Sequence, residues 1–179
     1  MANQNNSSDQ SGAPTKKNNL YPIFLKLDEL NALVVGGGNV GLEKVNALLF
    51  SSPEANVTVV APEIKTELKE VIKHHAAYSL IERKFEDQDL EGKDIAILAT
   101  DDKELHKHIK QLARRNGVLC NVADTPELCD FYLSSVVKKG NLKIAISTNG
   151  KSPTIAKRLK ETFNQALPDE IDQVLDNMH

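Results

Sequence analysis

From residue 31 onward, short apolar runs rich in β-branched residues alternate with longer stretches whose apolar positions recur at helical spacing. Ala32–Val35, Val57–Val60, Ser79–Arg83, Ile95–Ala99 and Val118–Val122 read as strands, and Leu42–Phe50, Ile64–His74 and Lys103–Arg115 read as the amphipathic helices between them. Strands that are apolar on both faces and alternate with helices imply a parallel sheet covered on both sides. Beyond Asp124 the period changes. FYLSSVV and LKIAIST flank KKGN, which predicts a β-hairpin with Gly140 and Asn141 in its turn, and Ser152 then caps a helix that Pro153 begins.

The pattern places one glycine cluster in context. Gly36-x-Gly38-x-x-Gly41 follows a predicted strand, opens a predicted helix and lies inside a strand-helix-strand unit. In such a turn Gly36 permits the tight reversal, Gly38 lets the backbone approach a pyrophosphate, and Gly41 lets the helix pack closely on the strand. The free N–H groups of the helix start then face the phosphates. A tight strand-to-helix turn with no ligand is the competing reading.

At the end of the second strand, where an acidic residue would meet the adenosine ribose, the chain runs through Ala61 and Pro62 to Glu63, a carboxylate placed late for that contact. Glu63 also fits a first-turn helix residue favoured by the helix dipole. The absence of arginine there favours NAD over NADP, and Lys65 keeps the question open. Two further strand ends point to the same edge, since ligands of doubly wound sheets lie outside the carboxyl ends of their strands. LATDD brings Thr100 to that edge, with Asp101 or Asp102 as a helix cap, and VLCNVADTP brings Asn121 and Asp124.

Composition narrows the classes. The chain has 179 residues, 40% of them hydrophobic, enough for one sizeable core and a small appended unit. The first nineteen residues hold no apolar run and read as a disordered tail; no run approaches the ~20 residues of a membrane span. Cys120 and Cys129 match no zinc-site spacing and fit packing groups in a reduced, cytoplasmic protein. His74, His75, His106 and His108 read as solvated helix surface, the last two facing different sides of one helix.

Charge is distributed unevenly. Residues 131 to 160 hold seven basic side chains, Lys138, Lys139, Lys143, Lys151, Lys157, Arg158 and Lys160, and no acidic one, in a chain of net charge −3. That asymmetry suggests a polyanionic ligand. The segment lacks the interleaved aromatics of a base-stacking surface, which argues against nucleic acid, and a solvated basic face is the plainer alternative.

Taken together, YPIFLKL, VVGGGNVGLEKV, VTVVAPE, ATDD, NVADTPELCDF and IAISTNGKSPTIAKRLKE resemble, in this order and over about Tyr21 to Leu167, the precorrin-2 dehydrogenase family of siroheme synthesis, which includes the N-terminal module of siroheme synthases and bifunctional dehydrogenase/ferrochelatases. The resemblance implies a Rossmann-type doubly wound parallel sheet followed by a β-hairpin plus helix dimerisation segment. Its expected organisation is a tail over 1–19, an NAD-binding domain over 20–125, a dimerisation and substrate segment over 126–167, and the start of a helical C-terminal region over 168–179.

The activity it implies is oxidation of precorrin-2 to sirohydrochlorin with NAD⁺ in a homodimer, with Fe²⁺ as a further substrate in bifunctional members. By position, Asn39, Val40, Pro62 and Glu63 join the glycines at the cofactor, and Asp124 matches a proton acceptor. Ser147 and Thr148 match a polar turn near the tetrapyrrole, whose carboxylates agree with Lys151 and Arg158. Ser134 stands where relatives have proline, and the chain stops at His179 where relatives continue into a helical region. A non-catalytic nucleotide-sensing domain is the alternative from another class. It calls for an acidic ribose ligand at the second strand's end and no basic hairpin, the reverse of what this sequence offers.

Overall fold

The computed structural model describes residues 18 to 177; almost all of the expected N-terminal tail lies outside them. Five strands, β1 (Asn31–Val35), β2 (Asn56–Ala61), β3 (Tyr78–Glu82), β4 (Ile95–Leu98) and β5 (Leu119–Val122), form one parallel sheet in the order β3-β2-β1-β4-β5. Alternate residues of each strand enter opposite cores, as the strand period requires. Ala32, Val34, Val57 and Val59 pack with Val45 and Leu48 of α1 (Asn39–Ser51) and Leu68 and Ile72 of α2 (Thr66–Ile72). Leu33, Val35, Val60, Leu98 and Cys120 pack with Ile109 and Ala113 of α3 (Lys103–Asn116). Asp102 caps α3 by accepting from the Glu104 and Leu105 amides at 3.1 and 3.0 Å, and Gly117, left-handed at φ 72°, ends it.

The order reverses between β1 and β4. β1 is followed by a crossover to β2 on one side, whereas β4 lies on the other, so a crevice opens at their carboxyl ends. Register sets the levels along this edge: Val35 pairs with Leu98, and Leu98 with Val122. The residues that follow each strand, Gly36, Ala99 with Thr100, and Ala123 with Asp124, therefore leave the sheet side by side.

A separate antiparallel hairpin, β6 (Ser135–Lys139) and β7 (Leu142–Ile146), packs against α4 (Pro153–Ala166). Phe131–Ser134, expected as the start of the hairpin's first strand, is not strand; the Phe131 carbonyl is drawn back to the parallel sheet, where it accepts from Asn121 Nδ2 at 2.9 Å. The second helix is also shorter than expected. Lys65 donates its amide to the Gly37 carbonyl at 3.0 Å, which holds Ile64 and Lys65 out of the helix and ties the β2–α2 turn to the glycine loop. The last described element is α5 (Ile171–Asp176), whose Asp172 carboxylate accepts from the Asn141 amide at 2.6 Å in the hairpin turn. No helix among the described residues is long and apolar enough to cross a membrane.

Candidate functional site

The four glycine-loop positions differ in what forces glycine there. Gly36 sits at φ 124°, and a Cβ on it would collide with the Ala99 carbonyl. A Cβ on Gly37 would meet the Glu63 carbonyl and lie 2.9 Å from the Ile64 Cα, while one on Gly41 would run into the Gly36 carbonyl, so both sustain close backbone packing. Gly37 was not singled out by the glycine pattern, because its constraint comes from the β2–α2 turn, remote in sequence. Gly38 is different. Its φ is −83°, open to any residue, and a Cβ there would meet nothing within 4 Å.

Protein packing therefore does not require glycine at 38, whereas a group approaching from outside would. Gly38 is the N-cap of α1, no side chain caps that end, and the first turn carries no acid. The amides of Asn39, Val40 and Gly41 are thus left for an external acceptor, and the partial positive charge of a thirteen-residue helix faces it. This is the fit expected for a pyrophosphate. Around the loop, Lys65 Nζ donates to Asn39 Oδ1 at 2.7 Å and lies 3.8 Å from Glu67, and Pro62 and Glu63 are exposed beside it.

Across the crevice, Thr100 places its Cγ2 3.2 Å from where a Cβ on Gly36 would stand, and its Oγ1 2.8 Å from His106 Nε2. His106 corrects the reading of a solvated histidine. It is 3% exposed, because with Ile109 and Ala113 it forms the inward i, i+3, i+7 stripe of α3. That spacing was visible in the sequence. Burial holds its pKa below the usual histidine value, only partly offset by Asp102, the Thr100 backbone and Asp101.

A base depressed in the folded state binds a proton more readily when unfolded. Its contribution to stability is thus complete above the ordinary value of about 6.5 and is lost as pH falls below that toward the folded value. His106→Gln is therefore expected to lose less of its urea midpoint than the wild type between about pH 7 and about pH 5. Equal losses would contradict the burial argument.

Asp124 occupies the third strand end. Its backbone is left-handed at φ 56°, a conformation aspartate tolerates better than most residues, and its side chain is exposed. Among the described residues its carboxylate accepts no hydrogen bond, and the alternative role as a cap two residues on fails because Pro126 has no N–H. Thr125 closes the turn instead, donating its hydroxyl to the Ala123 carbonyl at 3.3 Å. Asp124 borders a cleft of about 190 Å³ with Lys103, His106, Lys107, Thr125 and Glu127.

Asn121 is 7% exposed and its amide nitrogen is committed to the Phe131 carbonyl, so it anchors the segment leaving the sheet. Cys129 exchanges hydrogen bonds with Val122, and both cysteines are free, with burial pushing Cys120 up to about 11.

The hairpin unit divides its charges. Lys138 and Lys143 donate to the Phe50 and Ser51 carbonyls at 3.3 and 2.9 Å, Lys160 stands over the Phe50 ring at 5.4 Å, and Lys139 pairs with Asp169. Cations at the last turn of α1 complement its dipole, so much of the basic excess docks this unit rather than facing a ligand. Among the described residues Lys151 and Arg158 form no ion pair, and both are exposed. Just before Lys151, Ser147 Oγ accepts from the Asn149 amide at 3.2 Å, and Thr148 Oγ1 accepts from the Ser152 amide at 3.2 Å. These two hydroxyls shape the turn that presents Lys151.

A family model described as "Putative NAD(P)-binding" matches residues 23–135, the whole of this edge and sheet. The chain belongs to this NAD(P)-binding family. A second model, for the central region of sirohaem biosynthesis proteins, matches 139–166, most of the hairpin and α4.

Similar proteins include the siroheme synthases of Thioalkalivibrio sulfidiphilus, 37% identical over 148 residues, and Methylococcus capsulatus, 37% identical over 147. These matches cover 83% and 82% of this chain but 30% of each relative, so the chain spans under a third of their length. The solved structure of SirC, a precorrin-2 dehydrogenase, superposes with a TM-score of 0.75 at 28% identity, over 88% of this chain and 76% of that one. The sheet with its appended hairpin and helix is thus the architecture the sequence implied.

Proposed function

We propose that this chain is a cytoplasmic, homodimeric NAD-dependent dehydrogenase that oxidises precorrin-2 to sirohydrochlorin. The observation that carries the reading is the open face of Gly38 beside the uncapped start of α1, on the same edge as an unencumbered carboxylate at Asp124. NAD⁺ held there by Asn39, Val40 and Gly41 supplies the hydride acceptor. NAD⁺ is favoured over NADP⁺ because the turn after β2 offers Glu63 and no arginine, and Lys65 is already engaged by Asn39.

The substrate loses a hydride and a proton, and the protein's own part is to orient the ring and take the proton. Asp124, whose carboxylate accepts no hydrogen bond among the described residues, is the acceptor. Lys151 and Arg158 meet substrate carboxylates from the 126–167 segment, and Ser147 and Thr148 hold that turn in shape. The dimer reading is supported by an apolar stripe on α4, where Ile155, Leu159 and Phe163 recur every four residues and are all exposed.

Charge reversal at Lys151 and Arg158 is expected to raise the KM for precorrin-2 while leaving NAD⁺ affinity nearly intact. The effect should shrink with added salt, since exposed charges are screened beyond about 8 to 10 Å at physiological ionic strength. An unmoved KM would reduce the basic face to solvated surface.

A second reading, metal insertion into sirohydrochlorin, is favoured by the same free carboxylate, because seating Fe²⁺ displaces pyrrole protons that Asp124 would accept. The experiment is anaerobic incubation of precorrin-2 with NAD⁺, then with Fe²⁺ or Co²⁺, followed by absorbance. Sirohydrochlorin in the first stage supports the dehydrogenase, and a metallated chromophore formed faster than without protein supports the chelatase. No chromophore change in the first stage overturns the proposal.

A further inference from the structure

His106 is a buried ionisable ring with no part in the chemistry above, yet it stands one residue contact away from the glycine turn. Its Nε2 lies 2.8 Å from Thr100 Oγ1, while its Nδ1 is buried with no hydrogen-bond partner among the described residues. On its other side Thr100 packs its methyl group against Gly36, at 3.2 Å from the position a Cβ there would occupy. The two contacts fix one threonine rotamer between them, since rotation about χ1 would turn the hydroxyl away from His106 and the methyl away from the turn.

We infer that His106 is a positioning residue for the dinucleotide turn, acting through Thr100; the inference rests on the reading of that turn as the NAD⁺ site. The neutral ring carries one N–H. Placed on Nδ1, it would be a buried donor with no acceptor; placed on Nε2, it donates to Thr100 and leaves only a bare lone pair unpaired. The second tautomer also leaves the Thr100 hydroxyl proton free to be donated at the edge where the cofactor lies.

A second proton would create an unmet N–H at Nδ1 in a buried setting. Around the ring, Asp101 comes from the end of the β4–α3 turn, Asp102, Lys103 and Lys107 from α3 and its cap, and Asp124 and Glu127 from the β5–β6 connection across the cleft. His106 therefore works as a neutral donor, and glutamine, which can present an amide N–H in place of Nε2–H, should replace it.

The test combines a spectroscopic and a binding measurement on the full chain. Imidazole ¹⁵N shifts at neutral pH are expected to show His106 protonated on Nε2; protonation on Nδ1 overturns the assignment. In calorimetry with NAD⁺, His106→Leu and Thr100→Val are each expected to raise Kd about tenfold, the double variant no further, and His106→Gln to stay near wild type, the pattern of two residues acting as one unit. Thr100→Val is close to isosteric and carries the test should the leucine variant fail to fold. Wild-type affinity in folded His106→Leu or Thr100→Val, or losses that multiply in the double variant, overturn the inference alone. Failure of the wild type to bind NAD⁺ overturns the cofactor reading and the inference with it.

Discussion

Gly38→Asp is expected to abolish NAD⁺ binding while leaving the fold intact. Both halves follow from one position. Glycine is not needed there for backbone conformation, with φ at −83°, nor for packing, with open space around the added Cβ, so the thermal midpoint should stay near wild type. A carboxylate at the N-cap is even a favourable helix start, which argues against unfolding as the cause of any loss. The same carboxylate would stand where the pyrophosphate must sit and would occupy the Val40 and Gly41 amides that should bind it. A loss of at least ~100-fold in affinity is expected, since the variant combines steric exclusion, charge repulsion and loss of donors.

Gly36→Ala is the informative contrast. There the added methyl meets the Ala99 carbonyl at a positive φ, so stability should fall before affinity can be asked about. Calorimetry on folded Gly38→Asp checks the first prediction, and unchanged NAD⁺ affinity would remove the cofactor from this turn.

Asp124→Asn carries the second large effect. Loss of hydride from precorrin-2 leaves a proton to be removed, and a positioned general base contributes ~10²- to 10⁴-fold to such a transfer. The amide keeps the size and the tolerance of a left-handed backbone but cannot take a proton. Because the Asp124 carboxylate makes none of the turn's hydrogen bonds, the substitution should leave stability nearly unchanged. Turnover is expected to drop by that range with NAD⁺ affinity preserved. Turnover within a few-fold of wild type would make Asp124 a turn residue and assign the proton to solvent. Dehydrogenation that survives while metal insertion fails would assign Asp124 to the chelatase step.

What the sequence made legible is what local pattern determines. The five strands, the three helices between them and the glycine turn are each specified by period and by residues within a few positions of one another, and each is present in the expected order with its ends displaced by no more than a few residues. The hairpin turn at Gly140 and the cap at Ser152 are local in the same sense.

What escaped depends on contacts between distant segments. Gly37 is glycine because the turn after β2 packs on it, Phe131 is kept out of the hairpin by Asn121, and α2 starts late because Lys65 bonds the glycine loop. Charge alone suggests a ligand surface for the basic segment, with a solvated face as the plainer alternative. Docking at the end of α1 engages Lys138, Lys143 and Lys160, and that docking has no signature in a list of charges. His106 is an intermediate case, since its helical spacing from Ile109 and Ala113 marked it as inward while its polarity argued otherwise.

The proposed reaction requires that a nucleotide held at the start of α1 and a proton acceptor, Asp124, at the end of β5, with β4 between β1 and β5, act on one tetrapyrrole. The most direct measurement is a single-turnover reaction of the wild-type protein with limiting precorrin-2 and excess NAD⁺ under strict anaerobiosis, with both chromophores followed in time. NADH and sirohydrochlorin appearing together in equal amounts, at one rate, is the expected result. Precorrin-2 left unchanged by protein that binds NAD⁺ would contradict it.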